Sequence, residues 1–432
     1  MEKEIKSLAE NLLDFIDESP TAFHAVAAAK KELLSAGFSE LKEEEAWKIE
    51  KGGKYFTTRN DSSLFGFVVG TGEMEAEGFR IAGSHTDSPT FRIKPHAEMC
   101  NEGFLKLNTE VYGVPILNTW FDRPLSIAGR VAVKSTGMFP ESRLVNISRP
   151  ITIIPNLAIH LNRKVNHGVE LNPQKDTIPM VGCINDELEK DEFLVKLIAG
   201  ELGVKAEDIL DFDLFLYEYG RGCLLGVNEE FISSSRIDNL SMVHSAIHAI
   251  LDAKPGKATN LIACFDNEEV GSSTKQGANS EILVHTLERI ALSLGKGREE
   301  LLRAYAKSFM ISTDAAQGLH PNNTEKFDPT CRVILNQGPA IKISAAQSYT
   351  SDSISIGTYE MICEKAKVPV QKFVNRSDEP GGRTIGPLSA THLPIKSVDI
   401  GAPLLAMHSV RELGGVYDHF YITKSLIEFF SM

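Results

Sequence analysis

Apolar residues at Ile5, Leu8, Leu12, Leu13 and Ile16 fall on one helical face with acids between them, so the chain opens on an amphipathic helix. Ser19-Pro20-Thr21 breaks that pattern and offers a new N-cap, followed by an Ala-rich helix over 22–34 that Gly37 ends. Later, four segments share one design: a short apolar run, then a polar residue able to do chemistry. The run 79–83 leads to Ser84-His85-Thr86-Asp87, and 261–265 leads to Asp266-Asn267-Glu268-Glu269. The run 309–311 leads to Ser312-Thr313-Asp314, and 398–401 leads into a loop reaching His408. Short apolar runs flanked by helical stretches read as buried parallel strands. Ligands of open α/β sheets sit outside the carboxyl ends of such strands, so these four ends are expected to meet at one crevice.

Residues 91–231 read differently. Strand-like pieces such as 129–134 and 151–154 alternate with Pro and Gly. The expected organisation is therefore an α/β domain of residues 1–90 and 232–432, with an open sheet that is mostly parallel at its centre. A β-rich domain of residues 91–231 is inserted into it. A length of 432 residues agrees with two domains.

Composition narrows the partners. Lys plus Arg number 45 and Asp plus Glu 58, a net charge of −13 that repels phosphate backbones and argues against nucleic acid. The six cysteines are scattered without a CxxC, as in a reducing compartment. The first residues lack the basic start and apolar run of a signal peptide, and no stretch approaches a membrane span, so the cytoplasm is the expected location.

Several residues carry candidate chemistry. In His85-Thr86-Asp87 the acid can support a ligating imidazole through its other ring nitrogen, although such a pair is also common as plain structure. Glu268-Glu269 repel one another unless something positive is near, so one can ligate a metal while the other handles protons; a solvated acidic turn is the alternative. Asp238 precedes a helical pattern at Leu240, Val243, Ile247 and Ile250, where it can act as an N-cap or bridge two cations. With Asp314 and His408, these residues supply a mixed nitrogen and carboxylate set suited to zinc, with manganese or cobalt as substitutes, and rich enough in carboxylates for two ions. His244 and His248 lack the glutamate of HExxH and read as structural. Neither a GxSxG elbow nor a Walker loop is present, which leaves serine-hydrolase and nucleotide-driven readings without support.

In order along nearly the whole chain, these segments resemble the aspartyl aminopeptidase family of dinuclear zinc exopeptidases. The resemblance is carried by Ser19-Pro20-Thr21-Ala22-Phe23-His24, Gly83-Ser84-His85-Thr86-Asp87-Ser88-Pro89 and Thr119-Trp120-Phe121-Asp122-Arg123. It continues through Ala158-Ile159-His160-Leu161, Arg236-Ile237-Asp238-Asn239-Leu240, Asp266-Asn267-Glu268-Glu269-Val270-Gly271-Ser272 and His320-Pro321-Asn322. Thr384-Ile385-Gly386-Pro387 and Ala406-Met407-His408-Ser409-Val410-Arg411-Glu412 complete it. The resemblance implies a zinc-peptidase fold acting on peptides with a free N-terminus. His85 and Asp314 would hold one zinc ion and Glu269 and His408 the other, with Asp238 bridging, Asp87 supporting His85 and Glu268 as general base. It further implies that the insertion is a dimerisation domain, that His160 reaches into a neighbouring subunit's site, and that the dimers build tetrahedral dodecamers. Lys342 matches a basic residue placed to pair with an acidic N-terminal side chain. The chain departs from the pattern at Gln317, where a histidine is usual, and over 343–349, near the substrate side chain. A small-molecule deacylase and a non-catalytic scaffold are the rival readings.

Overall fold

In the computed structural model, which describes residues 2–184, 192–254, 256–379 and 381–432, the four apolar runs become neighbouring strands. They are β1 (Phe79–His85), β2 (Thr259–Phe265), β3 (Phe309–Gln317) and β4 (Lys396–Leu405). They lie in the order β2-β1-β3-β4, and every neighbouring pair is parallel. β2 is buried throughout and β1 everywhere except Arg80, because both faces of the sheet are covered. Antiparallel neighbours extend it, with Ser63–Val68 beside β2 and Glu412–Gly415 beside β4, in a sheet of twelve strands. The expected α/β class, with a large sheet parallel at its centre, is the one observed.

Helices α1 (Glu2–Asp17), α2 (Ala22–Ser35), α3 (Ile237–Asp252) and α4 (Val416–Phe430) cover one face. Leu12, Leu13 and Ile16 of α1 and Val243 and Ile247 of α3 share a core with Ile262, Ile311 and Val398 from the strands. Helices Ile282–Ser293 and Arg298–Lys307 cover the other face, packing Leu287, Ile290 and Leu301 with Phe79, Ile81 and Leu261. His244 lies inside the first layer. Its Nδ1 is 3.0 Å from His419 Nε2 and its Nε2 is 2.8 Å from Asn11 Oδ1, an oxygen that His248 Nε2 also meets at 2.8 Å. Burial pushes the pKa of both histidines down, so these rings are neutral hydrogen-bonding groups of the core.

The chain divides into two compact units. The first is Met1–Asp87, Gly222–Met407 and Glu412–Met432; the second is Ser88–Arg221 with His408–Arg411. The second unit therefore stops ten residues before the 231 boundary read from the sequence (231 − 221) and gains a short segment from far down the chain. Its antiparallel sheet has six strands, in the order Glu141–Asn146, Leu125–Val133, Ile209–Glu218, Thr90–Asn101, Phe104–Tyr112 and Met180–Cys183. Leu194 and Ile198 of helix Phe193–Leu202 pack on it with Ile93, Ile127 and Leu214. The expected strand over 151–154 forms only isolated bridges, at Thr152, Ile153 and Ile154. Pro150 and Pro155 bracket that run, and neither can donate to a ladder. Among the described residues no helix is long and apolar enough to cross a membrane.

Candidate metal centre

The strand register places the chemistry. Phe265 of β2 pairs with His85 of β1, and Ser312 of β3 pairs with Gly83, so Asp314, within β3, stands beside His85 at the end of β1. His85 Nε2 lies 3.4 Å from Asp314 Oδ1 and 3.5 Å from Asp238 Oδ1. Asp238 comes from the first turn of α3, where its backbone is not helical (φ −77, ψ 108). The N-cap position falls on Arg236, which makes no side-chain cap bond. The Asp238 N–H donates to Glu412 Oε2 at 2.9 Å, which fixes the turn that presents the carboxylate.

Beyond β2 the chain turns sharply, with Asn267 and Gly271 both left-handed and Glu268 and Glu269 between them. Asp87 organises this turn. Its Oδ1 accepts the Glu268 N–H and its Oδ2 the Glu269 N–H, each at 3.1 Å, while Oδ1 also lies 3.3 Å from His85 Nδ1. Asp87 thus supports both: its carboxylate holds the Glu268-Glu269 pair, and His85 Nδ1 meets its carbonyl oxygen at 3.2 Å as well as its carboxylate. Ligand atoms of His85, Asp238 and Asp314 all lie within 4.8 Å of one another, as do those of His85, Glu268 and Glu269.

So many acids together need a cation. Burial pushes the Glu268 carboxyl up to about 8 and holds Glu269 well above the usual range, with the Asp238 charge adding to the Glu269 shift. Burial likewise raises Asp266 to about 7, helped by Asp87. Burial opposes the His85 cation, yet Asp238, Asp314 and Asp87 keep its pKa well above normal. This is the electrostatic pattern of a site that gathers positive charge.

The remaining candidates separate. Lys342 is buried (3 % exposed), with Nζ 3.0 Å from Asp314 Oδ2, so it is not a loop lysine in solvent. His160 is exposed and belongs to the second unit. His408 is also in that unit, where its Nδ1 lies 3.0 Å from the Val114 carbonyl oxygen. Gln317 is exposed at the end of β3. Two supporting acids were not singled out from the sequence. Glu412 lay inside a recognised motif but gave no sign of its bond to Asp238, and Asp399 of β4 gave no local signal at all.

The profile described as "Aminopeptidase I zinc metalloprotease (M18)" matches residues 15–430. The chain belongs to the M18 family of zinc aminopeptidases. A Clostridium acetobutylicum protein called "Probable M18 family aminopeptidase 2" is 59% identical over 98% of both chains. The structure of Chaetomium thermophilum mApe1 superposes with a TM-score of 0.88 at 32% identity, covering 99% of this chain and 98% of that one. The S. cerevisiae mApe1 dodecamer gives 0.84 at 26% identity, covering 98% and 96%. As an M18 aminopeptidase the protein is a zinc-dependent hydrolase of peptide N-termini, and the resemblance seen in the sequence is to the same family.

Proposed function

We propose that this M18 aminopeptidase removes N-terminal residues with a water activated between two zinc ions and with Glu268 as general base. The observation that carries the reading is the Asp87 carboxylate, which braces His85, Glu268 and Glu269 at once. The donors fit zinc, since imidazole and carboxylate are its usual ligands outside thiolate sites, and manganese and cobalt accept the same set. His85 and Asp314 would hold one ion, Glu269 and His408 the other, and Asp238 would bridge. A proton on His408 Nδ1, facing the Val114 carbonyl, leaves Nε2 to ligate.

When bound, the ions supply a water of lowered pKa and a Lewis acid for the scissile carbonyl. Glu268 takes the proton from that water as it attacks the carbonyl carbon, then passes it to the departing amine. Asp87 keeps Glu268 aimed by fixing its backbone. His160 of a neighbouring copy would donate a hydrogen bond to the developing oxyanion. Residues 91–231 would make the dimer contact, and a dodecamer like that of the yeast relative would complete the sites, working in the cytoplasm. Selectivity for an acidic first residue is the finer part of this reading.

The test is hydrolysis of Asp, Glu, Leu, Lys and Ala anilides, each with a free and with an acetylated amine, before and after chelation. Chelator-sensitive cleavage confined to the free amines is expected, and the rates rank the first-residue preference. Release of acetate from the acetylated set, with the free-amine anilides left intact, would replace the exopeptidase with a small-molecule deacylase.

A further inference from the structure

Lys342 lies on the short strand Ala340–Lys342, which runs antiparallel to β4 with Ala340 opposite Gly401. On the other side of β4, Gly401 is paired with Asp314 of β3. Two residues apart on one strand share a face, so Lys342, Gly401 and Asp314 are all on the same side of the sheet. The lysine stem therefore has to cross β4 at Gly401 to bring its ammonium 3.0 Å from Asp314 Oδ2. A Cβ at Gly401 would stand 2.8 Å from Lys342 Cε and 2.8 Å from Ala316 Cβ, closer than real contacts allow. Gly401 has no positive φ, so space rather than backbone freedom calls for glycine there. The other acid near this crossing is Asp399, and its oxygens are already taken. Oδ1 accepts from Ser312 Oγ and Thr384 Oγ1 at 2.5 and 2.7 Å; Oδ2 accepts from Thr350 N–H and Oγ1 at 2.6 and 2.9 Å. The Tyr349 ring stands 5.5 Å from Nζ and closes another side.

We infer that Lys342 is a positioning residue for the metal centre: threaded through the gap at Gly401, its ammonium holds Asp314 Oδ2 so that Oδ1 faces His85 and an ion. This rests on the reading of Asp314 as a zinc ligand. The ammonium has two further donors, so this role is distinct from selection of an acidic first residue and the two are separable by experiment. A support that orients a ligating carboxylate acts on metal affinity first.

The experiment measures zinc affinity by chelator competition on the full-length protein, together with the ratio of kcat/KM for glutamyl and leucyl anilides. Lys342→Met is expected to weaken zinc binding by about 10–100-fold and leave the ratio unchanged. Unchanged zinc affinity in Lys342→Met with a collapsed glutamyl preference overturns the proposal. Asp314→Asn separates the two levels. If it keeps wild-type zinc affinity, the ligand reading of Asp314 fails; if it loses zinc while Lys342→Met keeps it, only the positioning role fails.

Discussion

Glu268→Gln is expected to retain its zinc and lower kcat by about 10²–10⁴-fold, the usual contribution of a positioned general base. Glutamine keeps the shape of the side chain and the backbone bond to Asp87, so the turn should persist. What it loses is basicity. Burial, helped by the charges of Asp314, Asp87 and Asp238 and opposed by His85, pushes the Glu268 carboxyl up to about 8; bound cations would oppose that shift and favour the ionised form that accepts a proton. Zinc analysis and steady-state kinetics on one preparation check both halves. Near-normal turnover would remove Glu268 from its role, and loss of zinc would make it a ligand.

Asp87→Ala should damage metal and base together. It removes the acceptor for two backbone N–H groups, at Glu268 and Glu269, and the carboxylate beside His85 Nδ1. Unpaired N–H groups in this half-buried turn favour another backbone path. His85 Nδ1 keeps the Asp87 carbonyl oxygen at 3.2 Å but loses the carboxylate, and loss of such a partner typically costs about 10–100-fold in metal affinity or activity. Zinc titration should show a loss of that size, and turnover at saturating zinc should stay depressed because Glu268 is no longer held. Full recovery of turnover with added zinc would limit Asp87 to supporting His85.

The centre of the fold was legible because burial on both faces forces continuous apolar runs. The runs at 79–83, 261–265, 309–311 and 398–401 announced β1 to β4, and the residues beyond them announced the site. Asp238 was ambiguous because its spacing before a helix suits a cap as well as a ligand. Only the backbone turn and the bond to Glu412 favour presentation to His85. The run at 151–154 looked like a strand because apolar content hides the effect of its flanking prolines. Lys342 could not be placed from sequence, since its partner lies 28 residues away across an intervening strand. Asp399 was invisible for the same reason: Ser312, Thr350 and Thr384 reach it only after the sheet has formed. The His408–Arg411 segment reads as a continuation of the β4 loop, yet it packs with the second unit through Val410.

The measurement that bears most directly on the two-ion site is the zinc content per chain as activity is titrated away with chelator. Two zinc ions per chain in the fully active protein are expected, with activity falling as they leave. Full activity with one zinc ion per chain, or with none, would contradict it.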